Sequence, residues 1–340
     1  MKVVSQQRED INPYYVLGGR VRVSGENVRI DIVLSDTNKG TNIWTERFSG
    51  NISDTESVVT NASIKVSGFI RSLTTAFTGA EYRDIPDEDL SVSELLSKSA
   101  HLIQLWDQQS VVAGQKSLEY AVRQSPENPM ALAMLASTFT IPIFSGFGSI
   151  DDVDVQKVME LANKAVKVGP TIDFVFHARA CVKCFLLKNL AGAKADCERA
   201  LKINPYFHVA QIMSSIIDVF SGETTTGIKK FQEILIVVPE EPMIPMVNTI
   251  IAIGYLMCGE RNKALHFAQE GYELSPSNPL GGAVYLAAAP ESPEIINPED
   301  FKNMIHKLNL RISIVKNLPF NNPEDIKLFT SLLQAAGLPK

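Results

Sequence analysis

The chain has 340 residues, 45% hydrophobic and 21% charged, a composition that folds around a large core and lies far from that of a disordered polypeptide. Its formal net charge of −6 and pI near 5.5 leave no basic stripe to neutralise phosphates, so neither nucleic acid nor an anionic membrane surface is an expected partner. The start is polar, with Arg8, Glu9 and Asp10 in place of the apolar core of a secretion signal, and a cytoplasmic chain is the expectation.

The first 80 residues carry a two-residue rhythm. Residues 14–23, 27–34 and 42–48 read as three strands; in the second, Val28, Ile30, Ile32 and Leu34 alternate with Arg29, Asp31 and Val33. The segments Ser24-Gly25-Glu26-Asn27 and Asp36-Thr37-Asn38-Lys39-Gly40 supply hairpin turns, with Gly and Asn where φ turns positive. The expectation is an antiparallel meander. From about Asp54 to Phe77 the period changes. Val59, Ala62, Val66, Phe69 and Leu73 recur at three- and four-residue steps, predicting a helix that covers one face of the sheet.

An acidic stretch, Glu81 to Leu90, reads as a linker, and beyond it the chain repeats. Pro170, Pro205, Pro239 and Pro276 each close a helical pattern, at intervals of 35, 34 and 37 residues. Twelve residues before each proline stand Val158, Ala193, Gly227 and Ala264; five before stand Ala165, Ala200, Ile234 and Gly271. Small side chains at these places let two antiparallel helices approach closely. Pro126 fits the same frame, with Gly114 and Ala121, although 44 residues separate it from Pro170; the extra residues are expected in a loop around 144–154. The two most apolar stretches, Met130 to Phe144 and Met243 to Cys258, are shorter than the roughly 20 residues of a membrane span and read as buried repeat helices.

After residue 289, Asn297-Pro298-Glu299-Asp300 and Asn322-Pro323-Glu324-Asp325 each place a capping residue before a proline at the first helical position. The helices they start, with Phe301, Ile305, Leu308 and Ile312, and with Ile326, Phe329, Leu332 and Leu333, would either cap the last repeat or fold back inside the array.

The sequence holds no phosphate-binding, dinucleotide, nucleophile-elbow or H-E-x-x-H motif. Asp151, Asp152 and Asp154 lack the spacing of a calcium loop and suit the start of a helix from Val155. His101, His208, His266 and His306 stand singly on helical patterns. The string His177, Cys181, Cys184, Cys197 is the one candidate metal set. Residues 177, 181 and 184 share a helix face and Cys197 lies on the next helix. Packing is the favoured reading of these cysteines, because free cysteine serves well as a small buried side chain and structural zinc usually closes a loop. No cofactor is expected.

The run Tyr15-Val16-Leu17-Gly18-Gly19-Arg20-Val21-Arg22, then Gly25, Val28-Arg29-Ile30, Leu34, Asp36, Gly40 and Trp44-Thr45-Glu46-Arg47-Phe48 resembles the TolB-like amino-terminal domain. In that family the domain commonly precedes tetratricopeptide repeats, in the carboxy-terminal half of class III adenylate or guanylate cyclases and of winged-helix regulators. The resemblance covers residues 14 to about 75 and extends more loosely through Ser93 to Ala136. Gly18 replaces an acidic residue usual in the family. The family also implies a strand and helix ahead of the tyrosine, where this chain has only some thirteen residues, mostly polar. The meander is therefore expected to be incomplete: the chain is a truncated product, a gene fragment, or a module completed by a second subunit or another copy.

Transferring the tetratricopeptide register to the first helix of each repeat selects the inner surface of the array. It is lined by Val175, Ala178, Val182, Phe185 and Leu186, by Val209, Ile212, Ile216, Val219 and Phe220, and by Met246, Thr249, Ile253, Leu256 and Met257. Fourteen of these fifteen are apolar. The resemblance thus implies a groove for a protein or an amphipathic helical peptide, centred on Val182, Phe185, Ile212, Ile216, Phe220, Ile253 and Met257. The alternative is a groove that the chain fills itself.

The expected architecture is mainly α: a tetratricopeptide-type α-solenoid preceded by a small, incomplete α/β domain of β-meander plus helix. Its parts are a partial TolB-like domain at 1–80, an acidic linker at 81–92, helical repeats at 93–289 and a helical carboxy-terminal cap at 290–340. The expected function is non-catalytic protein interaction; the alternative is the regulatory half of a cyclase or winged-helix regulator.

Overall fold

A computed structural model describes residues 15–37, 40–237, 242–289 and 298–339, without the side chains of 68, 69, 71–78 and 298. Expectations for Tyr14, Asn38-Lys39, Pro239, Asn297 and the segment 290–296, and for the Phe69 and Leu73 side chains, lie outside the described residues. Residues up to Val66 and from Ser67 onward form two compact units.

In the first unit, β1 (Tyr15–Ser24), β2 (Asn27–Asp36) and β3 (Thr41–Asn51) form an antiparallel sheet in that order. The alternation of β2 sets the faces: Val28 pairs with Val23 and Gly50, Ile30 with Val21 and Phe48, and Leu34 with Leu17 and Trp44. One face is thus apolar across three strands. A bulge between Leu34 and Ser35 ends the regular ladder of β2 with β3. The long helix α1 (Thr55–Glu81) begins in this unit and buries Val58, Ala62 and Ile64. Its register differs from the expected stripe, since Val59 is 41% exposed. The helix is positioned by Val58 against Gly50, where a Cβ would lie 2.6 Å from the valine methyl, and by the 3.0 Å ion pair of Lys65 with Glu46. On the polar face, Asp31 accepts from Arg29 and Arg47, which hold its carboxyl below the usual carboxylate range.

The second unit is a stack of antiparallel helix pairs. They are α2 (Val92–Ile103) with α3 (Gln108–Gln124), α4 (Pro129–Thr138) and α5 (Thr140–Ser145) with α6 (Val155–Val168), and α7 (Asp173–Phe185) with α8 (Leu190–Ile203). The stack continues with α9 (His208–Ser221) and α10 (Thr224–Val237), then α11 (Ile244–Met257) and α12 (Arg261–Leu274). A further first helix, α13 (Pro279–Ala288), is buried along its whole length. Pro126, Pro170, Pro205 and Pro276 each fall two residues past the end of a second helix, where a residue without an amide hydrogen cannot continue it. The acidic stretch folds onto the first pair. Asp87 accepts from Lys98 (2.9 Å) and Ser117 (2.8 Å), and Leu90 is buried with Leu95, Ala121 and Ala131.

The apolar run Met130 to Phe144 is two helices, α4 and α5, rather than one. Pro142 is tolerated in the first turn of α5, where its missing donor would have had no helical acceptor. This extra helix and a 3₁₀ turn at Ile150–Asp152 take up the long interval between Pro126 and Pro170. Asp154 then caps α6, accepting from the Lys157 amide at 3.1 Å.

The small positions are where the two helices of a pair meet. A Cβ on Gly227 would lie 2.7 Å from a Val219 methyl and 2.8 Å from the Ser215 carbonyl. A Cβ on Gly271 would lie 2.9 Å from the Pro245 carbonyl, and one on Gly114 3.1 Å from that of Ser99. Ala121, Ala165, Ala193, Ala200 and Ala264 are each 0% exposed. Buried charges tie the helices together within pairs and, through Asp218 and Lys194, between the α7–α8 and α9–α10 pairs. Asp196 takes Arg179 at 2.6 Å and Lys183 at 2.7 Å, and Asp218 holds both Lys194 and Lys230. A buried carboxylate is tolerated because it is paired.

Cys181, Cys184 and Cys197 lie buried between α7, α8 and the following pair, whereas Cys258 is exposed. Burial pushes the Cys181 thiol up to about 12 and raises Cys184 and Cys197 as well, so all three stay protonated at neutral pH.

Two outcomes follow from this packing. Gly227→Ala would gain up to about 1 kcal/mol in an open helix, yet is expected to destabilise this chain by about 1–3 kcal/mol in a denaturant titration, because backbone atoms occupy the space. A thiol-reactive chromogen is expected to titrate one cysteine rapidly in the native protein and all four in guanidinium; more than one fast native thiol would contradict the packing of α7 and α8.

Candidate functional site

The first helices α7, α9 and α11 place the fifteen register positions side by side. Fourteen of them are buried and Met257 is half-buried. Val182 and Leu186 pack in one cluster with Ala136, Ile143, Val158 and Ala162. Val175, Ala178 and Val209 belong to another, with Leu132, Ala165 and Phe207. Val182, Ile212, Ile216 and Ile253 are at most 1% exposed, and Phe185 packs in a tilted pair with Phe144, ring centroids 4.6 Å apart. These side chains are walls of helix-to-helix packing as well as of any groove. None of the six buried candidates offers a free surface in this state.

Phe220 is covered by the carboxy-terminal segment. After α14 (Pro298–Lys307), which rests on α13, the chain runs through a 3₁₀ helix at Ile312–Asn317 into α15 (Pro323–Ala335), which packs on α11 and α13. The segment is anchored at five places in turn. Ile314 lies against Gly146, where a Cβ would come within 2.4 Å of its Cδ1, and Gly146 itself has φ +87°. Asn317 donates to the Gly148 carbonyl at 3.1 Å. Lys188 donates to the Lys316 carbonyl at 2.7 Å. Phe320 stands edge-on to Phe220, centroids 5.0 Å apart, and the Asn321 amide donates to the Phe220 carbonyl at 3.1 Å. Phe320 in turn meets Phe329 of α15 at 5.8 Å. Ile314, Val315, Leu318, Phe320, Phe329 and Leu333 are all buried.

Of the two routes open to the last helices, α14 takes the capping role, while 312–335 folds back along the array. Gly146, Gly148, Lys188 and Phe320 were not among the expected site residues. The signal for them is the composition of Ile312 to Phe320, which is too apolar for an exposed tail.

The candidate metal string does not assemble. Cys181 Sγ lies 3.6 Å from His177 Nε2 and 3.9 Å from Met213 Sδ, contacts within a packed core. Among the described residues no group of three His, Cys, Asp or Glu side chains is arranged to hold a metal ion. No described helix is long and apolar enough to cross a membrane.

No family model matches the chain, and no curated protein matches it. Solved structures do. The Cut9-Hcn1 hetero-tetramer of the APC/C aligns with a TM-score of 0.50 and 12% identity over 82% of this chain, which spans 48% of that one. A thermophilic TPR protein of Thermus thermophilus aligns over 58% of this chain and 98% of its own, at 19% identity and TM-score 0.45. A tetratricopeptide repeat protein of Parabacteroides merdae aligns over 81% and 99%, at 14% and 0.42. The fold is a tetratricopeptide-type α-solenoid preceded by a small three-stranded antiparallel sheet.

Proposed function

We propose that this chain is a non-catalytic protein interaction scaffold, with the array at 93–289 as its binding surface and the segment at 290–340 as a cap that also closes it. One observation carries the reading: the apolar inner surface already holds an amphipathic helix, α15, and its leading segment, through Phe220, Phe320 and Phe329. A surface that selects such a helix in cis has the chemistry to take a similar one in trans. The partner is then a protein or peptide helix with two or three large apolar side chains at three- and four-residue steps. Exchange exposes Phe220 first, whereas Ile212, Ile216 and Ile253 remain wall residues. The alternative, the regulatory half of a cyclase or winged-helix regulator, rests on the resemblance alone, over residues 14 to about 75 and more loosely through Ser93 to Ala136.

The experiment is a fluorescence-anisotropy titration with a labelled peptide of residues 310–340. Wild-type chain is expected to ignore the peptide, because its own segment is present at high effective concentration. Phe320→Ala removes about 3–5 kcal/mol of packing from that segment, and this variant is expected to bind the peptide with far-UV circular dichroism unchanged. A helical Phe320→Ala chain that still ignores the peptide would mean that the segment is permanent core, and the groove reading would fail. Ile253→Asp is expected to lower the melting temperature sharply, as a carboxylate buried among wall residues must.

A further inference from the structure

The sheet of the first unit is covered unequally. On its apolar face, Val28 and Leu34 of β2 are 2% and 3% exposed, and α1 meets β3 at Gly50 and Glu46. The β1 residues on the same face are open. Leu17 is 47% exposed, Val21 63% and Val23 59%. Among the described residues nothing pairs with the outer edge of β1 from Leu17 to Ser24. An apolar face beside an unpaired edge is what a protein ordinarily covers, shortens or charges.

The phase of that edge can be worked out. Ser24 pairs with Asn27 across the two-residue turn Gly25-Glu26, with Gly25 at φ +57°. The pair flanking such a turn exchanges both hydrogen bonds. Residues 22, 20, 18 and 16 therefore direct their backbone groups to β2, and residues 17, 19, 21 and 23 direct theirs outward. An antiparallel partner must offer outward-pointing residues of its own.

If the partner is a second copy of β1, odd residues face odd residues, and four registers keep at least seven residues of each strand overlapped. With Val21 opposite Val21, Arg20 meets Arg22 on the far face. With Leu17 opposite Val23, Arg20 meets Arg20. With Gly19 opposite Gly19, Leu17 meets Val21, while Arg20 and Arg22 meet Gly18 and Val16. With Gly18 opposite Gly18, Arg20 meets Val16, but only residues 15–21 overlap. Of the two registers that avoid like charges directly opposed, which are destabilising in cross-strand pairs, Gly19 opposite Gly19 keeps the longer overlap, residues 15–23. The same register joins the open apolar half-faces of both copies into one band beside the two α1 helices.

We propose that two copies of this chain pair through β1, antiparallel about a twofold axis at Gly19, giving a continuous six-stranded sheet. The contact is isologous, so it closes at two copies and removes one exposed edge from each. It goes beyond the scaffold reading and rests on the other unit, so either can fail alone.

The test is sedimentation velocity on the full chain over a concentration series, with disulfide trapping. Gly19 has room for a side chain, a Cβ there lying 3.4 Å from the Asp31 carbonyl with no strained φ. A hydrogen-bonded pair has Cα atoms about 5.5 Å apart, within disulfide reach. In a Cys258→Ser background, Gly19→Cys is expected to give a cross-linked species of twice 37.4 kDa under mild oxidation, and Val23→Cys is not. Val21→Lys, at an exposed position, is expected to shift wild-type dimer to monomer with helicity unchanged. A wild-type chain that stays monomeric overturns the proposal, and β1 amides protected in that monomer would show its first fourteen residues on the edge instead. A dimer indifferent to Val21→Lys, or trapped better by Val23→Cys, also overturns it.

Discussion

The architecture depends on how closely two antiparallel helices can approach within each repeat. At Gly114, Gly227 and Gly271 the facing element is backbone carbonyl or amide, 2.8–3.1 Å from where a Cβ would stand. Ala121, Ala165, Ala193, Ala200 and Ala264 fill equivalent places without exposure. Each approach lets the larger side chains beside it, such as Phe207, Phe220 and Phe231, interdigitate rather than hold the helices apart. Glycine carries a propensity cost in a helix of about 1 kcal/mol relative to alanine, and the packing it permits offsets that cost.

Close packing also decides how the array ends. A stack of identical pairs leaves an apolar face on its last member, and here α13 presents Leu280, Val284 and Leu286 with no second helix of the same kind to follow. Two devices cover it. Leu308 and Leu310 lie over Gly282, and Arg261 donates to the last carbonyls of α13, at Ala287, Ala288 and Ala289. The rest of the carboxy-terminal segment continues past the end and runs back to α9 and α5, joining the last repeat to the second. Its contacts mix apolar packing with single hydrogen bonds to backbone carbonyls, at Gly148, Lys316 and Phe220. Such a seam is more readily opened than the helix pairs, whose charges at Asp196 and Asp218 are buried and doubly paired.

The sheet is governed by a different constraint. Its ladder is regular over nearly its whole length, and its apolar face needs a cover as wide as three strands. One helix spans about 10 Å, roughly two strands at 4.8 Å spacing, which is why β2 and β3 are covered and β1 is not. The arginines on the opposite face of β1 keep that face wet and restrict which strand can lie beside it.

Much of this was legible in the residues. The alternation in Val28 to Leu34 specified β2 and its neighbours, and the prolines with their preceding small residues specified the helix pairs, because both depend on local period and on excluded volume at single positions. Of the α1 stripe, Ala62 is buried as expected, but at its start Val58 rather than Val59 packs inward, since a helix period is blind to which side a sheet lies. The run through Pro142 was legible as apolar but not as two helices. The inner-surface register was right about which residues are apolar and silent about what covers them. Whether Phe220 meets solvent, a partner or Phe320, and whether Cys181, Cys184 and Cys197 converge on an ion or on Met213, depends on contacts between residues far apart in sequence. The sequence by itself determined the repeat and the strand pattern, which local steric rules impose; only the tertiary structure decided that Phe220 meets Phe320 of the returning carboxy-terminal segment, because a chain's return across its own surface follows from the shape of that surface.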